Sequence, residues 1–176
     1  MITIITGTNR LNSNSSKVSE TYSNILNNKG IKSQILNLKK LNSQFISEDM
    51  YGKRTPKTEM IIEKYIDNVN QFIFVIPEYN GTYPGVLKMF MDGVSPSKFH
   101  YKKATLVGVA SGRAGNIVGL EHFTTVLNHL KMEVLSNKVL LSQIEELLDE
   151  EGLVGNETSL EIIEEQLELM NKIFEN

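Results

Sequence analysis

The chain of 176 residues contains no cysteine and no tryptophan. Without cysteine it forms no disulfide, and no thiolate acts as a metal ligand or nucleophile, which excludes thiol chemistry and most zinc sites. No apolar run approaches the roughly 18 residues that a transmembrane helix needs. The N-terminal MITIITGTNR lacks the basic region and the long apolar run of a signal peptide. We therefore expect a cytoplasmic protein, with no membrane partner, that forms a single domain over residues 1–176.

Basic runs are short, since no more than two lysines or arginines are adjacent. The formal net charge of −3 is unevenly distributed, because eleven acidic residues and one cation lie from Ile144 onward. That acidic part repeats apolar residues at the spacing of an amphipathic helix, at Leu160, Ile163, Leu167, Met170 and Phe174. The remainder of the chain is positively charged, with its cations dispersed. This pattern favours a small anionic ligand and predicts no nucleic-acid partner.

Short apolar segments alternate regularly with helical patterns along the chain. The predicted strands are residues 2–6, 33–38, 72–76, 104–110 and 134–140. The predicted helices are residues 17–28, 57–70, 84–94, 119–132 and 159–174, and residues 39–57 are predicted to be polar and irregular. The alternation predicts an α/β fold with a doubly wound parallel sheet.

Three polar segments follow the ends of the first, third and fourth predicted strands. They are GTNRLNSNSSKV (7–18), PEYNGTYPG (77–85) and SGRAGN (111–116), whereas the segments after the second and fifth strands lack this character. In open parallel sheets, ligands bind beyond the carboxyl ends of the strands. The sequence therefore predicts that the three segments form one binding site.

The first segment has the composition of a phosphate-binding loop. A phosphate at a strand-to-helix junction accepts hydrogen bonds from backbone N–H groups and interacts with the positive end of the helix dipole. Further donors are the hydroxyls of Thr8, Ser13, Ser15 and Ser16, the Asn14 amide and the Arg10 guanidinium. The segment lacks both the G-x-x-x-x-G-K-[ST] pattern and the three-glycine dinucleotide pattern. We therefore expect it to hold a terminal phosphate monoester.

The other two segments suit a flat ring. Pro77 and the following Glu78-Tyr79-Asn80-Gly81 predict a rigid turn whose backbone groups match the alternating donors and acceptors of a pyrimidine-like edge. In the third segment, Gly112 and Gly115 allow the backbone to approach a planar ligand closely.

In this order and spacing, the three segments resemble the NADPH-dependent FMN reductase family of flavodoxin-like proteins, which includes chromate, quinone and azo-dye reductases. The resemblance implies a flavodoxin-like five-stranded parallel sheet in the order 2-1-3-4-5, with helices on both faces. It implies FMN as cofactor and NADPH or NADH as co-substrate. By the same resemblance, Thr8, Arg10, Ser13, Ser15 and Ser16 bind the phosphate. Pro77, Glu78, Tyr79, Asn80 and Gly81 line the isoalloxazine ring, and Ser111, Gly112 and Gly115 close its other edge. Asn116 departs from the glycine pair that many members carry in the third loop.

The resemblance implies an oxidoreductase that passes hydride from NAD(P)H to flavin N5 and then to a small acceptor: a quinone, a flavin, an azo compound or a metal oxyanion. The alternative is an electron carrier of flavodoxin type, or a flavin-binding partner module without turnover. No separate catalytic residue is expected, because the flavin carries the chemistry. His122 and His129 share a helix face without the spacing of a metal site, so no metal is predicted.

The helix predicted over residues 84–94 is apolar almost all round, through Val86, Leu87, Met89, Phe90, Met91 and Val94. One face must cover the sheet, so we expect another to form a two-fold interface, in agreement with the homodimers or homotetramers that the resemblance implies. In the alternative interpretation, residues 39–57 of the same chain cover that face. Lys88 and Asp92 are spaced to pair along the helix or with a symmetry mate.

Overall fold

The structure, a computed structural model, describes residues 1–41, 44–51 and 54–174. Its strands are β1 (Ile2–Thr6), β2 (Ser33–Asn37), β3 (Gln71–Pro77), β4 (Lys103–Val109), β5 (Glu133–Val134) and β6 (Val139–Leu141). Its α-helices are α1 (Asn14–Asn28), α2 (Pro56–Ile62), α3 (Gly85–Gly93), α4 (Ile117–His129) and α5 (Glu157–Phe174). Short 3₁₀ turns form at Leu38–Lys40, Pro96–Lys98 and Ile144–Glu146, and π-helical turns at Phe45–Asp49 and Glu63–Asp67.

All strand pairs are parallel, and the sheet has the order β2-β1-β3-β4-β5, with β6 also paired to β4. This confirms the predicted flavodoxin-like order. One hydrophobic cluster packs α2, α3 and α4 on one face of the sheet, and a second packs α1 and α5 on the other. Both faces of the central strands are therefore covered, which explains why β3 is apolar at nearly every position.

The prediction of one continuous last strand, residues 134–140, is wrong, because the structure divides it into β5 and β6. The side chain of Gln166 on α5, which is fully buried, lies at the interruption. Its Nε2 donates to the backbone oxygens of Leu106 on β4 (3.1 Å) and Asn137 (3.0 Å). Its Oε1 accepts from the Tyr22 hydroxyl at 2.8 Å. A side-chain amide thus bonds carbonyl groups at the break, and the backbone ladder resumes at β6.

Several helix boundaries differ from the prediction. α1 begins at Asn14, before the predicted residue 17, because the Ser13 side chain caps it by accepting a hydrogen bond from the Ser16 N–H. Pro84 has extended backbone geometry and precedes α3, which begins at Gly85. α4 runs over Ile117–His129 and lies two to three residues upstream of the predicted range. The helix predicted over residues 57–70 consists of α2 and the π-helical turn that follows it.

The expectation that α3 exposes a second broad apolar face is wrong for Phe90 and Met91, which are 0% and 3% exposed. Phe45, from the segment predicted to be irregular, stacks on Phe90 with ring centroids 6.3 Å apart. Its ring also lies against Gly93, where any side chain larger than hydrogen would collide with it. The alternative interpretation therefore holds for this part of the helix. Residues 42, 43, 52 and 53 of the segment lie outside the described residues.

Candidate functional site

The three polar segments meet at the carboxyl edge of the sheet around a cleft of ≈ 300 Å³. Of the predicted site residues, Arg10, Ser13, Asn14, Ser15, Pro77, Glu78, Tyr79 and Ser111 line it. Asn12, Val109, Ala110, Ile144 and Glu145 line it without having been predicted. Thr8, Ser16, Asn80, Gly81, Gly112 and Gly115 support these loops from outside the lining, as described below.

Ser13 and Ser16 form the cap of α1. The Ser13 hydroxyl accepts from the Ser16 N–H at 3.2 Å and lies 2.9 Å from the Ser16 hydroxyl. Asn37, at the end of β2, donates its side-chain N–H to the same Ser16 oxygen at 2.8 Å. Ser16 is thus satisfied within the protein and fixes the helix terminus against the neighbouring strand.

Ser15 differs from its neighbours because its buried hydroxyl has no hydrogen-bond partner among the described residues. The residue is 1% exposed and lines the cleft in the first turn of a 15-residue helix. An unpaired buried hydroxyl is costly unless a ligand or water satisfies it. Together with the positive end of the helix dipole, it makes this end of the cleft suited to an anion.

Thr8 and Arg10 connect the first loop to the second. Thr8 is fully buried, and its hydroxyl lies 2.7 Å from the Tyr79 hydroxyl and accepts from the Arg10 N–H at 3.2 Å. The Arg10 side chain lies at the exposed mouth of the cleft, where the described residues offer it no carboxylate partner. Its guanidinium is therefore available to a ligand that carries negative charge.

The second loop is a tight turn at the exit of β3. Glu78 N–H donates to the Val109 carbonyl (2.9 Å), and Tyr79 N–H donates to the Thr82 carbonyl (2.9 Å). Asn80 and Gly81 have φ angles of 52° and 82°, the left-handed geometry that asparagine and glycine tolerate best. These two residues shape the turn, which holds Glu78 and Tyr79 against the cleft.

The third loop packs closely on its neighbours. Gly115 has a φ of 58° and lies against Leu140, so that a Cβ there would sit 2.7 Å from the Leu140 Cβ. Asn116, the residue that departs from the expected glycine pair, adopts a similar left-handed φ of 65° and is 1% exposed. Its side-chain N–H donates to the carbonyl of Ile76, directly before Pro77, at 3.0 Å. Asn116 thereby ties the third loop to the start of the second.

Glu145 is the principal residue that the sequence prediction missed. Its Oε1 accepts from the Asn14 side-chain N–H at 2.9 Å and from the Ser111 hydroxyl at 2.8 Å. The bond from Ser111, more than any other interaction, lowers the pKa of Glu145 below its ordinary value, so the carboxylate is charged at neutral pH. Glu145 follows the last strand, in a segment that is rich in neither glycine nor hydroxyl residues, so nothing in the sequence indicated a site there.

Other predicted features also have defined places. The Thr82 hydroxyl lies 2.9 Å from His122 Nδ1, which links α4 to the second loop. Lys88 and Asp92 pair along α3 at 2.7 Å. Within residues 1–41, 44–51 and 54–174, no three histidine or acidic side chains converge as metal ligands. No helix in that part of the chain combines the length and apolarity of a membrane span.

Comparison with known proteins agrees with this architecture. The family model of NADPH-dependent FMN reductases matches residues 1–146. An NAD(P)H-dependent FMN reductase of Pseudomonas aeruginosa is 27% identical over 128 residues, which are 70% of this chain and 69% of that protein. The flavoenzyme NAD(P)H:(acceptor) oxidoreductase FerB of Paracoccus denitrificans superposes with a TM-score of 0.81 at 17% identity, over 97% of this chain and 94% of that chain. An NADH:FMN oxidoreductase solved in its apo form gives a TM-score of 0.69 at 18% identity, over 95% and 88%.

The structural neighbours share the fold, and the family model covers the strands, the three loops and Glu145. The chain belongs to the family of NADPH-dependent FMN reductases.

Proposed function

We propose that the cleft binds FMN, with the phosphate at the N-terminus of α1 and the isoalloxazine ring against the loops that follow β3 and β4. The observation that carries this proposal is the buried, unpartnered hydroxyl of Ser15. It lies in the first turn of α1, where backbone N–H groups and the dipole favour an anion. Arg10 supplies a charge-assisted hydrogen bond to the same phosphate.

The ring is placed against two loops that hydrogen bonds hold together. The tight turn at Tyr79–Thr82 and the Asn116 bond to Ile76 fix the two loops relative to each other. Pro77, Glu78 and Tyr79 border one side of the cleft, and Val109, Ala110 and Ser111 border the other. Backbone groups presented in this way hydrogen-bond the pyrimidine edge, and the apolar Val109 and Ala110 contact its flat surface.

In this proposal FMN, when bound, takes hydride from a nicotinamide and passes electrons to a second substrate. The chain binds and orients the flavin and its two substrates. The acceptor is a small molecule such as a quinone, a free flavin, an azo compound or a metal oxyanion. Support comes from the activities of structural neighbours, which include an NAD(P)H:(acceptor) oxidoreductase and an azoreductase of Bacillus anthracis.

Steady-state oxidation of NADPH and of NADH, with benzoquinone as acceptor and FMN saturating, tests this function. If both substrates use one face of the ring in turn, reciprocal plots at several quinone concentrations are parallel. Intersecting lines contradict a shared face. Absence of turnover with flavin bound favours the alternative, an electron carrier or flavin-binding module, over the reductase.

We also propose that the protein is cytoplasmic and that it assembles as a two-fold dimer through the outer surface of α3 and α4. This surface holds a mainly apolar cleft of ≈ 600 Å³ whose lining includes Val126, the almost fully buried Met91 and Tyr51, a residue that is 85% exposed. Val118, 51% exposed, lies outside the lining of this cleft but seven residues before Thr125, and therefore on the same face of α4. Light scattering at micromolar concentrations tests the assembly. A Val118→Glu variant is expected to dissociate with unchanged circular dichroism, and a monomeric wild-type protein contradicts the proposal.

A further inference from the structure

The Glu145 carboxylate joins the two loops that border the cleft. It hydrogen-bonds Asn14, the first residue of α1, and Ser111, which follows β4. The 3₁₀ turn that carries it is itself anchored on the third loop. Gln143 N–H donates to the Gly112 carbonyl (2.9 Å), and Ile144 N–H donates to the Ala110 carbonyl (3.1 Å). The carboxylate therefore has a defined position between the phosphate end and the ring end of the cleft.

The carboxylate also retains the capacity to accept further hydrogen bonds. Both side-chain donors converge on Oε1, whereas an ionised carboxylate offers about four acceptor sites over two oxygens. Glu145 is exposed to solvent and lines the cleft, so a ligand reaches it without displacing the core. Being charged, it accepts hydrogen bonds and repels anions. A cation or a neutral N–H or O–H donor therefore suits it, and of these FMN carries only neutral donors.

From this placement we infer that Glu145 recognises the ribityl chain of FMN. The inference rests on the proposed function, which places the phosphate at α1 and the ring at the loops after β3 and β4. The ribityl chain must then cross between Asn14 and Ser111, and its secondary hydroxyls are the hydrogen-bond donors of FMN that lie between the phosphate and the ring. Glu145 accepts at least one of them and thereby selects flavins that carry a polyol chain.

Three flavins separate recognition of the polyol from the other possible effects of Glu145. FMN carries the phosphate and the polyol, riboflavin carries the polyol alone, and lumiflavin has a methyl group in place of the whole chain. Dissociation constants are measured by fluorescence for the wild-type protein, Glu145→Ala, Glu145→Gln and the control Glu146→Gln. Glu146 lies on the same 3₁₀ turn outside the cleft lining and is hydrogen-bonded by Gln143.

Glu145→Ala is expected to weaken FMN and riboflavin by the same factor, about tenfold or more, because a hydrogen bond to a charged group is lost. Lumiflavin affinity is unchanged in the same variant. Glu145→Gln keeps a neutral acceptor, so its affinity for FMN and riboflavin is expected to lie between those of the wild-type protein and Glu145→Ala. The control retains all wild-type affinities. Circular dichroism of each variant verifies the fold before binding is compared.

Four results overturn the inference. Tighter FMN binding in Glu145→Gln shows that the carboxylate repels the phosphate. An equal loss for lumiflavin shows that Glu145 only holds the two loops together, and unchanged affinities show that it does not contact the cofactor. If the wild-type protein binds lumiflavin but not FMN, both the phosphate site and the proposed function are wrong. This result needs no variant, so it is distinguishable from the other three.

Discussion

Ser15→Ala is expected to change protein stability and FMN affinity in opposite directions. In the ligand-free chain, the Ser15 hydroxyl is buried without a partner among the described residues. An unsatisfied buried polar group costs about 1–3 kcal/mol, and alanine removes it without a large cavity. We expect the free energy of unfolding to rise by about 1 kcal/mol, which corresponds to a Tm increase of roughly 2–4 °C for a chain of this size.

In the proposed site, the same substitution removes a donor to the FMN phosphate. A hydrogen bond to a charged group contributes about 1.5–3 kcal/mol, so FMN affinity is expected to fall about ten- to a hundredfold, with riboflavin affinity unchanged. Thermal melts of the ligand-free protein and fluorescence titrations with both flavins measure the two effects.

Ser19→Ala is the matched control for this experiment, because Ser19 lies one turn further along α1 and is also buried. Its hydroxyl is paired with the Ser15 carbonyl and with Thr6, both at 2.8 Å. This variant is expected to lower stability and to leave the preference for FMN over riboflavin unchanged. If Ser15→Ala destabilises the ligand-free protein as Ser19→Ala does and leaves FMN affinity unchanged, the phosphate site is in the wrong place.

Two further variants test the loops around the cleft, and a third tests the carboxylate that bonds the start of α2. Arg10→Ala is expected to weaken FMN about ten- to a hundredfold and riboflavin little, by fluorescence titration, because the guanidinium is proposed to contact only the phosphate; equal losses contradict this role. Asn116→Gly removes the bond to the Ile76 carbonyl, and we expect weaker binding of both flavins with faster amide exchange at residues 77–79; unchanged exchange refutes the coupling of the loops. The carboxylate of Asp49 accepts from Thr58 and Thr55, and the Thr58 bond holds the pKa of Asp49 below its ordinary value. The ionised Asp49 therefore contributes fully to the free energy of unfolding above the unfolded pKa of about 4, and this contribution is lost as pH falls through the lower folded pKa. Asp49→Asn is expected to be less stable than the wild-type protein at pH 7. Denaturant titrations are expected to show that the difference in free energy of unfolding shrinks in acid. A difference that is the same at all pH values contradicts this assignment.

The sheet was predictable because its signal is local. Each central strand is a short apolar run next to glycine or polar loop residues, and alternation with helical patterns predicts parallel order. The first two polar loops were predictable for the same reason, since GTNRLNSNSSKV and PEYNGTYPG are contiguous in the sequence. Their residues reach the cleft because both follow neighbouring strands of one sheet.

The features that the sequence did not reveal depend on contacts between distant residues. Glu145 enters the cleft through hydrogen bonds to Asn14 and Ser111, which are 131 and 34 positions away. Gln166 bonds the backbone at the break between β5 and β6. It belongs to α5, whose sequence shows only an ordinary amphipathic pattern. Phe45 covers α3 from residues 39–57, a segment that the sequence offered as cover for this helix only as the alternative to a two-fold interface. No local periodicity encodes these three contacts.

Anaerobic mixing of the FMN-loaded protein with NADPH tests the central claim most directly. The chain is proposed to hold FMN so that a nicotinamide transfers hydride to it, so the flavin absorbance near 450 nm is expected to bleach within one turnover and to return on addition of benzoquinone. NADH in a parallel experiment measures the preference between the two nicotinamides. Bound FMN whose absorbance neither NADPH nor NADH bleaches would contradict the claim that the protein is an NAD(P)H-dependent reductase.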